Sequence, residues 1–89
     1  MYYISGFYKF KKIHSIKKNK KLLSDIFNNY NIRGTIIISS EGINGTISST
    51  KKNFDPVLNK IKKVLNFISF DSQNLSKNKF QIFNKGKVK

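Results

Sequence analysis

The feature that most constrains the fold is an uninterrupted run of β-branched residues in the middle of the chain, Thr35-Ile36-Ile37-Ile38. Such side chains are restricted at χ1 and favour extended backbone, so residues 33–39 are predicted to form a strand. The dipeptide Asn44-Gly45 follows, and both of its residues tolerate positive φ. Residues 46–49 can then pair back antiparallel, which predicts a hairpin with Asn44 in a left-handed conformation in its loop.

Apolar residues recur at helical spacing on both sides of this hairpin. The first stretch predicts a helix from about Lys20 to Tyr30, which Asn31 can close in a left-handed turn. Residues 11–21 before it are expected to be a polar, cationic connector. The second stretch predicts a helix from about Lys52 to Phe67.

Pro56 leaves the start of the second helix open. If Asp55 is the N-cap, Pro56 lies in the first turn, where its missing N–H loses no hydrogen bond. If the helix instead begins near Thr50, Pro56 removes one backbone bond. After this helix, residues 71–78 are predicted to be a polar loop, and a last strand is predicted at either 80–83 or 85–89.

An aromatic-rich strand over residues 2–10 completes the order strand, helix, strand, strand, helix, strand. This is the split βαβ order of ferredoxin-like folds. We expect an α+β sandwich with a four-stranded antiparallel sheet, two helices on one face and the other face open. Right-handed crossovers place strands one and three side by side in the centre, strand two on one edge and the last strand on the other. A chain of 89 residues is expected to form one domain, 1–89.

The net charge is +14, from 18 Lys and Arg against four Asp and Glu. A chain this basic favours a polyanionic partner such as a nucleic acid or an anionic membrane surface. Arg33 is the single Arg, which favours attraction to a phosphate backbone over the reading of bases. The sequence has neither a signal-peptide pattern nor an apolar run of roughly 20 residues, so a cytoplasmic location without membrane contact is expected.

The segment from Ser39 to Ser48 is the most informative for function. The chain contains no cysteine, which limits the kinds of chemistry that its side chains can perform. Thiolate metal sites and cysteine nucleophiles are excluded, and His14 with four acidic residues supplies few groups for a metal cage or an acid–base pair. Either the segment is a hairpin loop with Glu41 in solvent, or its small residues let backbone amides approach an anionic or planar ligand. On the second interpretation the residues that shape a site are Glu41, Gly42, Asn44 and Gly45.

The run Glu41-Gly42-Ile43-Asn44-Gly45-Thr46-Ile47-Ser48, with Ile36-Ile37-Ile38-Ser39 before it and Tyr8-Lys9-Phe10 in the first strand, carries a family resemblance. It resembles the N-terminal acylphosphatase-like domain of the rhodanese-containing tRNA uridine hydroxylases over nearly the whole chain. The resemblance implies an acylphosphatase-like form of the ferredoxin-like fold. It also implies a parent protein that uses molecular oxygen to convert the wobble uridine of certain tRNAs to 5-hydroxyuridine, with an essential cysteine in a rhodanese domain that follows this one.

The same resemblance implies that this chain is the tRNA-engaging part of such an enzyme. The chain ends at Lys89, about where the link to the rhodanese domain would begin, so we expect that domain to be absent. Whether the chain alone is an enzyme stays open, but without cysteine it cannot perform rhodanese-type chemistry. Expected partners are tRNA and the rhodanese domain of the same parent protein. We expect a monomer with no catalytic residue, metal or cofactor of its own. Phosphate contacts are assigned to Lys9, Lys11, Lys12, Lys17, Lys18 and Arg33.

Two alternatives remain. The first is a stand-alone RNA-binding module in which Tyr3, Phe7 and Lys9 lie on the open sheet face, where rings stack on bases. Phe80 or Phe83 can join them there. Equally, Tyr3 and Phe7 can cover the sheet or meet a partner domain. The second is an acylphosphatase, which by resemblance needs an Arg in the loop after strand one, whereas the cations of that loop are Lys, with His14 among them.

Overall fold

The computed structural model describes all 89 residues, and its elements form one sheet and two helices. The sheet order is β4-β1-β3-β2-β6, with β5 also paired to β1, and every pair is antiparallel except β2 with β6. The ferredoxin-like α+β prediction is confirmed, including the central pair of strands. The sheet has six strands rather than four because one edge is divided into two short strands and one more lies outside β2. In chain order the elements are β1 (Tyr2–Phe10), α1 (Ile16–Tyr30), β2 (Arg33–Ser39), β3 (Gly42–Thr50), α2 (Lys51–Leu65), β4 (Ser72–Gln73), β5 (Ser76–Asn78) and β6 (Gly86–Val88).

Both helices pack on one face of the sheet and enclose the core. Successive strand residues point to opposite faces, so every second residue of the central strands points toward the helices. Ile36 of β2 and Ile47 of β3 are fully buried in this way, and Leu23 of α1 and Ile61 of α2 are equally buried in the helix layer. Neither helix has the length and apolar content needed to cross a membrane.

Helix α1 begins earlier than its apolar spacing predicted. It starts at Ile16 rather than near Lys20, so the cationic connector is reduced to residues 11–15. Buried Ile13 and half-buried Ile16 belong to the core and continue the apolar stripe toward the N-terminus, which the prediction did not count. The predicted end is confirmed, because Asn31 is left-handed with φ 52° and ψ 45°.

Helix α2 begins directly after Thr50, so of the two starts left open by the sequence the one near Thr50 is present and Asp55 is not the N-cap. Pro56 lies inside the helix and cannot donate to the carbonyl four residues earlier. Phe54, which is buried, lies in the turn before this proline and packs into the core. Burial of that ring offsets the lost backbone bond, and the helix runs on to a left-handed Asn66.

The β2–β3 hairpin turns at Ser40-Glu41, and the prediction of a left-handed Asn44 was wrong. Asn44 and Gly45 both lie inside β3. The unusual backbone belongs to Gly42, whose φ is +144°. A Cβ on Gly42 would overlap the carbonyl oxygen of Lys9, so the close approach of β1 requires glycine at this position.

The last quarter of the chain covers both edges of the sheet. Strands β4 and β5 pair with β1, so the predicted polar loop at 71–78 contains two short strands. Residues 79–85, which we name the crossing segment, then pass to the opposite edge, where β6 pairs with β2. The strand predicted at 85–89 is therefore present and the alternative at 80–83 is not. Its predicted place at the edge away from strand two was wrong, because β4 and β5 occupy the edge of β1 and β6 lies parallel to β2. Arg33 holds the crossing segment, because its Nη1 donates to the carbonyl oxygens of Phe83 at 3.5 Å and Asn84 at 2.9 Å.

Candidate nucleic-acid interface

One end of the helix layer gathers lysines from three parts of the chain. The helices run antiparallel, since Asn53 near the start of α2 donates to the carbonyl of Tyr30 at the end of α1 at 3.2 Å. At the other end of the layer, the connector lines a hollow of about 250 Å³ together with the last residues of α2. The lysines at this end are Lys11 and Lys12 of the connector, Lys17 and Lys18 of α1, and Lys63 of α2, and we name them the helix-end lysines. All of them are exposed except the half-buried Lys11.

Lys17 and Lys18 are not placed where they stabilise their own helix. They lie in the first turn of α1, which has no acidic residue. The N-terminal end of a helix carries a positive partial charge, so each cation there costs roughly 0.3–1 kcal/mol at low ionic strength. Two exposed lysines at this position suit an anionic partner, which the same helix end also attracts.

Two of the six residues predicted to contact phosphate are engaged elsewhere in the chain. Lys9 lies on the helix side of β1, with its Nζ 3.3 Å from Asp71 Oδ1 and 5.6 Å from the ring centre of Phe67. Arg33 lies across the sheet and binds the crossing segment. The structure therefore brings four of the six together, and these are Lys11, Lys12, Lys17 and Lys18.

The rings considered for the open face of β1 point toward the helices instead. Phe7 is 5% exposed and packs on Phe70, with ring centres 4.6 Å apart. Tyr3 is half-buried and meets Phe54 edge to face at 5.5 Å. Strand alternation places the odd-numbered residues of β1 on this side. The alternative in which Tyr3 and Phe7 cover the sheet is correct, and the stacking role given to them was wrong.

The open face carries a different aromatic pair and a groove. Tyr8 and Phe10 are 41% and 74% exposed, with ring centres 5.2 Å apart. Beside Tyr8 lies a groove of about 450 Å³ that extends over β1, β3 and β2 and reaches Phe83 of the crossing segment. We name it the open-face groove. Its lining includes Gly6, Tyr8, Thr35, Ile37, Asn44, Thr46, Asn74 and Phe83.

Asn74 fixes the outer edge of this groove. Its backbone N–H donates to the carbonyl of Gly6 at 3.0 Å, and its Oδ1 accepts the N–H of Gly6 at 2.9 Å. Its own carbonyl accepts the hydroxyl of Ser5 at 2.7 Å. Sequence reasoning missed Asn74 because it lies in a polar stretch without periodicity, and only its contacts with a distant strand distinguish it.

The four residues predicted to shape a site fall at the hairpin and along β3. Asn44 borders the open-face groove and also a second hollow of about 320 Å³, which Glu41 and Gly42 line as well. Glu41 is exposed in the turn. Gly45 lies inside β3, where a Cβ would be 2.5 Å from the carbonyl oxygen of Thr35. Their contribution to a site stays a prediction, and Asn44 is the member with two adjoining hollows.

The carboxyl group of Asp71 has a lowered pKa. Its carboxylate accepts the backbone N–H of Phe10 at 2.6 Å, which is the main reason that its pKa lies below the ordinary value of 3.8. The bond from Lys9 lowers the pKa further. The charged carboxylate ties the chain after α2 to the end of β1 beside the exposed rings. No three His, Asp or Glu side chains lie close enough together to hold a metal ion.

Solved structures with a similar fold include two acylphosphatases. The enzyme from Bacillus subtilis has a TM-score of 0.67 over 99% of this chain and 98% of its own, at 6% sequence identity. The enzyme from Coxiella burnetii has a TM-score of 0.66 over 98% of this chain and 90% of its own, at 7% identity. At such identities the likeness concerns the fold alone.

Sequence comparison gives a closer relationship. A protein of Pelagibacter ubique (strain HTCC1062) named tRNA uridine(34) hydroxylase is 57% identical over all 89 residues. The chain spans about 30% of the length of that relative. A family model described as the UPF0176 acylphosphatase like domain matches residues 2–89. The resemblance seen in the sequence is confirmed, and the chain belongs to the UPF0176 acylphosphatase-like domain family.

Proposed function

We propose that this chain is the tRNA-engaging domain of a cytoplasmic tRNA uridine hydroxylase that forms 5-hydroxyuridine at the wobble position. The observation that carries the proposal is the 57% identity, over the whole chain, to a protein named tRNA uridine(34) hydroxylase. The charge of +14 supports it, because a polyanion is the partner that such a surface attracts.

The helix-end lysines are the proposed contact with tRNA phosphates. Only two ion pairs form in the chain, Lys9 with Asp71 and Lys21 with Asp25, so none of the helix-end lysines is neutralised by an acidic neighbour. Binding of lysines to phosphates releases counterions and gives an affinity that falls with salt. This contact positions the tRNA and does not itself read its sequence.

The domain contributes binding and shape rather than reactivity. It contains no cysteine, whereas the resemblance places an essential cysteine in a rhodanese domain. The hydroxylation chemistry is therefore assigned to the rest of the parent protein, with this domain holding the tRNA beside it. We expect the isolated chain to bind tRNA weakly and to leave its uridines unmodified.

A charge-reversal experiment tests the proposal with a matched control. Lys17→Glu/Lys18→Glu changes two lysines in the first turn of α1, and Lys51→Glu/Lys52→Glu changes two in the first turn of α2, at the opposite end of the helix layer. Glutamate is favourable in the first turn of either helix, so neither variant is expected to lose its fold. Fluorescence anisotropy with labelled tRNA measures the affinity.

We expect Lys17→Glu/Lys18→Glu to weaken tRNA binding on the order of tenfold and Lys51→Glu/Lys52→Glu to have a clearly smaller effect. Equal losses in the two variants would mean that charge acts without a defined contact surface. Hydroxylation of tRNA by the isolated chain would contradict the assignment of the chemistry to the rest of the parent protein.

A further inference from the structure

We propose that the open-face groove holds one unpaired nucleotide of an RNA strand, with its base against the rings of Tyr8 and Phe83 and its edge on Asn44. The identity of the partner as RNA rests on the proposed function. The inference goes beyond it by placing a base-binding site on the sheet face opposite the helices, apart from the helix-end lysines.

The depth of the groove comes from a missing side chain at the centre of β1. Gly6 points away from the helices, and a Cβ there would lie 3.3 Å from Asn74 Nδ2 and 3.6 Å from Thr46 Oγ1. The resulting depression of about 450 Å³ lies within the size range of small-ligand sites, roughly 300–1,000 Å³. Rings on a sheet surface bind unpaired bases by stacking, since every base has a π-face.

The floor of the groove offers hydrogen-bonding groups that the chain itself does not use. The side chains of Thr35, Asn44 and Thr46 take part in none of the side-chain hydrogen bonds within the chain. Asn74 uses its Oδ1 for Gly6, and its Nδ2 lies over that glycine. An amide side chain has a donor and an acceptor side by side, which matches the edge of a base.

The charge around the groove suits the phosphates of the same strand. Lys87 pairs with Thr35 in the β2–β6 register, and its neighbour Gly86 faces Phe27 of the helix layer, so Lys87 points to the open face. At the other end, the backbone N–H of Lys11 donates to the carbonyl of Glu41 at 3.0 Å. The connector with its helix-end lysines therefore adjoins the hairpin end of the open face. An RNA strand that lies along the open-face groove therefore has lysine side chains of this domain near both of its ends.

A protein surface is the competing occupant, and the lining favours a nucleotide. Five polar residues and two glycines line the groove, against the four hydrophobic residues Phe7, Tyr8, Ile37 and Phe83. A docked protein domain would leave several of those polar groups without partners, at a cost in free energy. A base with its own donors and acceptors satisfies them.

The test maps the binding of pentauridylate by ¹⁵N–¹H shifts of this chain. We expect the amides of Gly6, Asn44 and Thr46 to shift on titration. Thr46→Trp fills the groove and is expected to weaken pentauridylate binding at least about tenfold. The matched control Ile68→Trp adds the same ring at a position that is 92% exposed and outside the groove, and it should leave binding unchanged.

A second variant keeps the test valid if the indole disturbs β3. Asn44→Ala removes an exposed amide without filling the groove and is expected to weaken binding about threefold or more, with an unchanged circular-dichroism spectrum. Shifts confined to lysine amides would overturn the nucleotide site. So would groove amides that ignore pentauridylate but respond when the rest of a parent hydroxylase is added, because the groove is then a protein interface.

These outcomes are separate from those of the proposed function. If the groove fails to bind pentauridylate while tRNA binding still depends on Lys17 and Lys18, the nucleotide site is wrong and the tRNA-engaging function stands. If tRNA binding is absent and pentauridylate still enters the groove, the tRNA-engaging function is wrong and the nucleotide site stands.

Discussion

Ser5 and Ser48 are both completely buried, and only Ser5 has a hydrogen-bond partner. Its Oγ donates to the carbonyl of Asn74 at 2.7 Å, which joins the centre of the sheet to its outer edge. The Oγ of Ser48 has no partner. A buried polar atom without a partner loses its hydration without compensation, whereas a bonded one recovers it.

Alanine at these two serines should therefore give different results. We expect Ser5→Ala to lower the free energy of unfolding by about 1 kcal/mol because it leaves the Asn74 carbonyl without its partner. Ser48→Ala should be neutral or stabilising by up to about 1 kcal/mol. Urea unfolding of both variants under identical conditions measures the difference. Equal losses would show that the hydroxyl of Ser48 is satisfied in solution.

The Asp71 carboxylate should make stability depend on acidity. Its folded pKa lies below 3.8, chiefly because it accepts the N–H of Phe10, so the bond stabilises the fold above that pH. The stabilisation is lost as the pH falls through the folded pKa. Asp71→Asn should thus lower the thermal midpoint at about pH 7, and its difference from the unchanged chain should be smaller at about pH 2. A gap of the same size at both values would rule out the carboxylate's charge as its source.

Gly42 should be the least replaceable residue of the hairpin. Its φ of +144° is strained for any side chain, and a Cβ would overlap the Lys9 carbonyl oxygen. Gly42→Ala is expected to destabilise the chain by at least about 1 kcal/mol. Ser40→Ala, in the exposed turn beside it, is expected to change stability by less than about 0.5 kcal/mol. Chemical denaturation of the two variants compares them directly.

Salt should weaken tRNA binding in proportion to the number of phosphates contacted. If about five lysines bind, the log–log slope of affinity against salt has a magnitude of roughly 3 to 5. Lys17→Glu/Lys18→Glu should reduce that magnitude by about 2, since each lost contact removes about 1. A slope near zero in the unchanged chain would contradict phosphate contacts altogether.

Local patterns were enough to predict the order of the first five elements, from β1 to α2. The β-branched run predicted the position of β2 correctly because these residues prefer extended backbone, and Ile36 and Ile38 are also buried there in the sheet. The end of α1 at Asn31 could be predicted because a left-handed residue there lets backbone N–H groups bond the last free carbonyls of the helix, whatever the helix packs against. Where local preference and tertiary contacts favour the same structure, a single sequence is enough to predict the element.

Choices that depend on distant contacts could not be made from the sequence. Both Gly42 and Gly45 can support a turn, and the approach of β1 decides between them. Periodicity divided β1 into two faces but did not say which face the helices cover, and this left two possible roles for Phe7. The groove needs Asn74 and Phe83 over strands that lie far away in the chain, so no local pattern shows it.

The short strand β6 protects the most apolar part of the sheet. Backbone bonds from Gly34 to Lys85, from Ile38 to Lys89 and from Lys89 to Ile36 occupy the free edge of β2. An unpaired, β-branched edge is a template on which another chain can add a strand. Brief detachment of β6 would therefore expose an edge to which other chains can pair, so the solubility of the domain depends on a short and largely exposed strand rather than on its core.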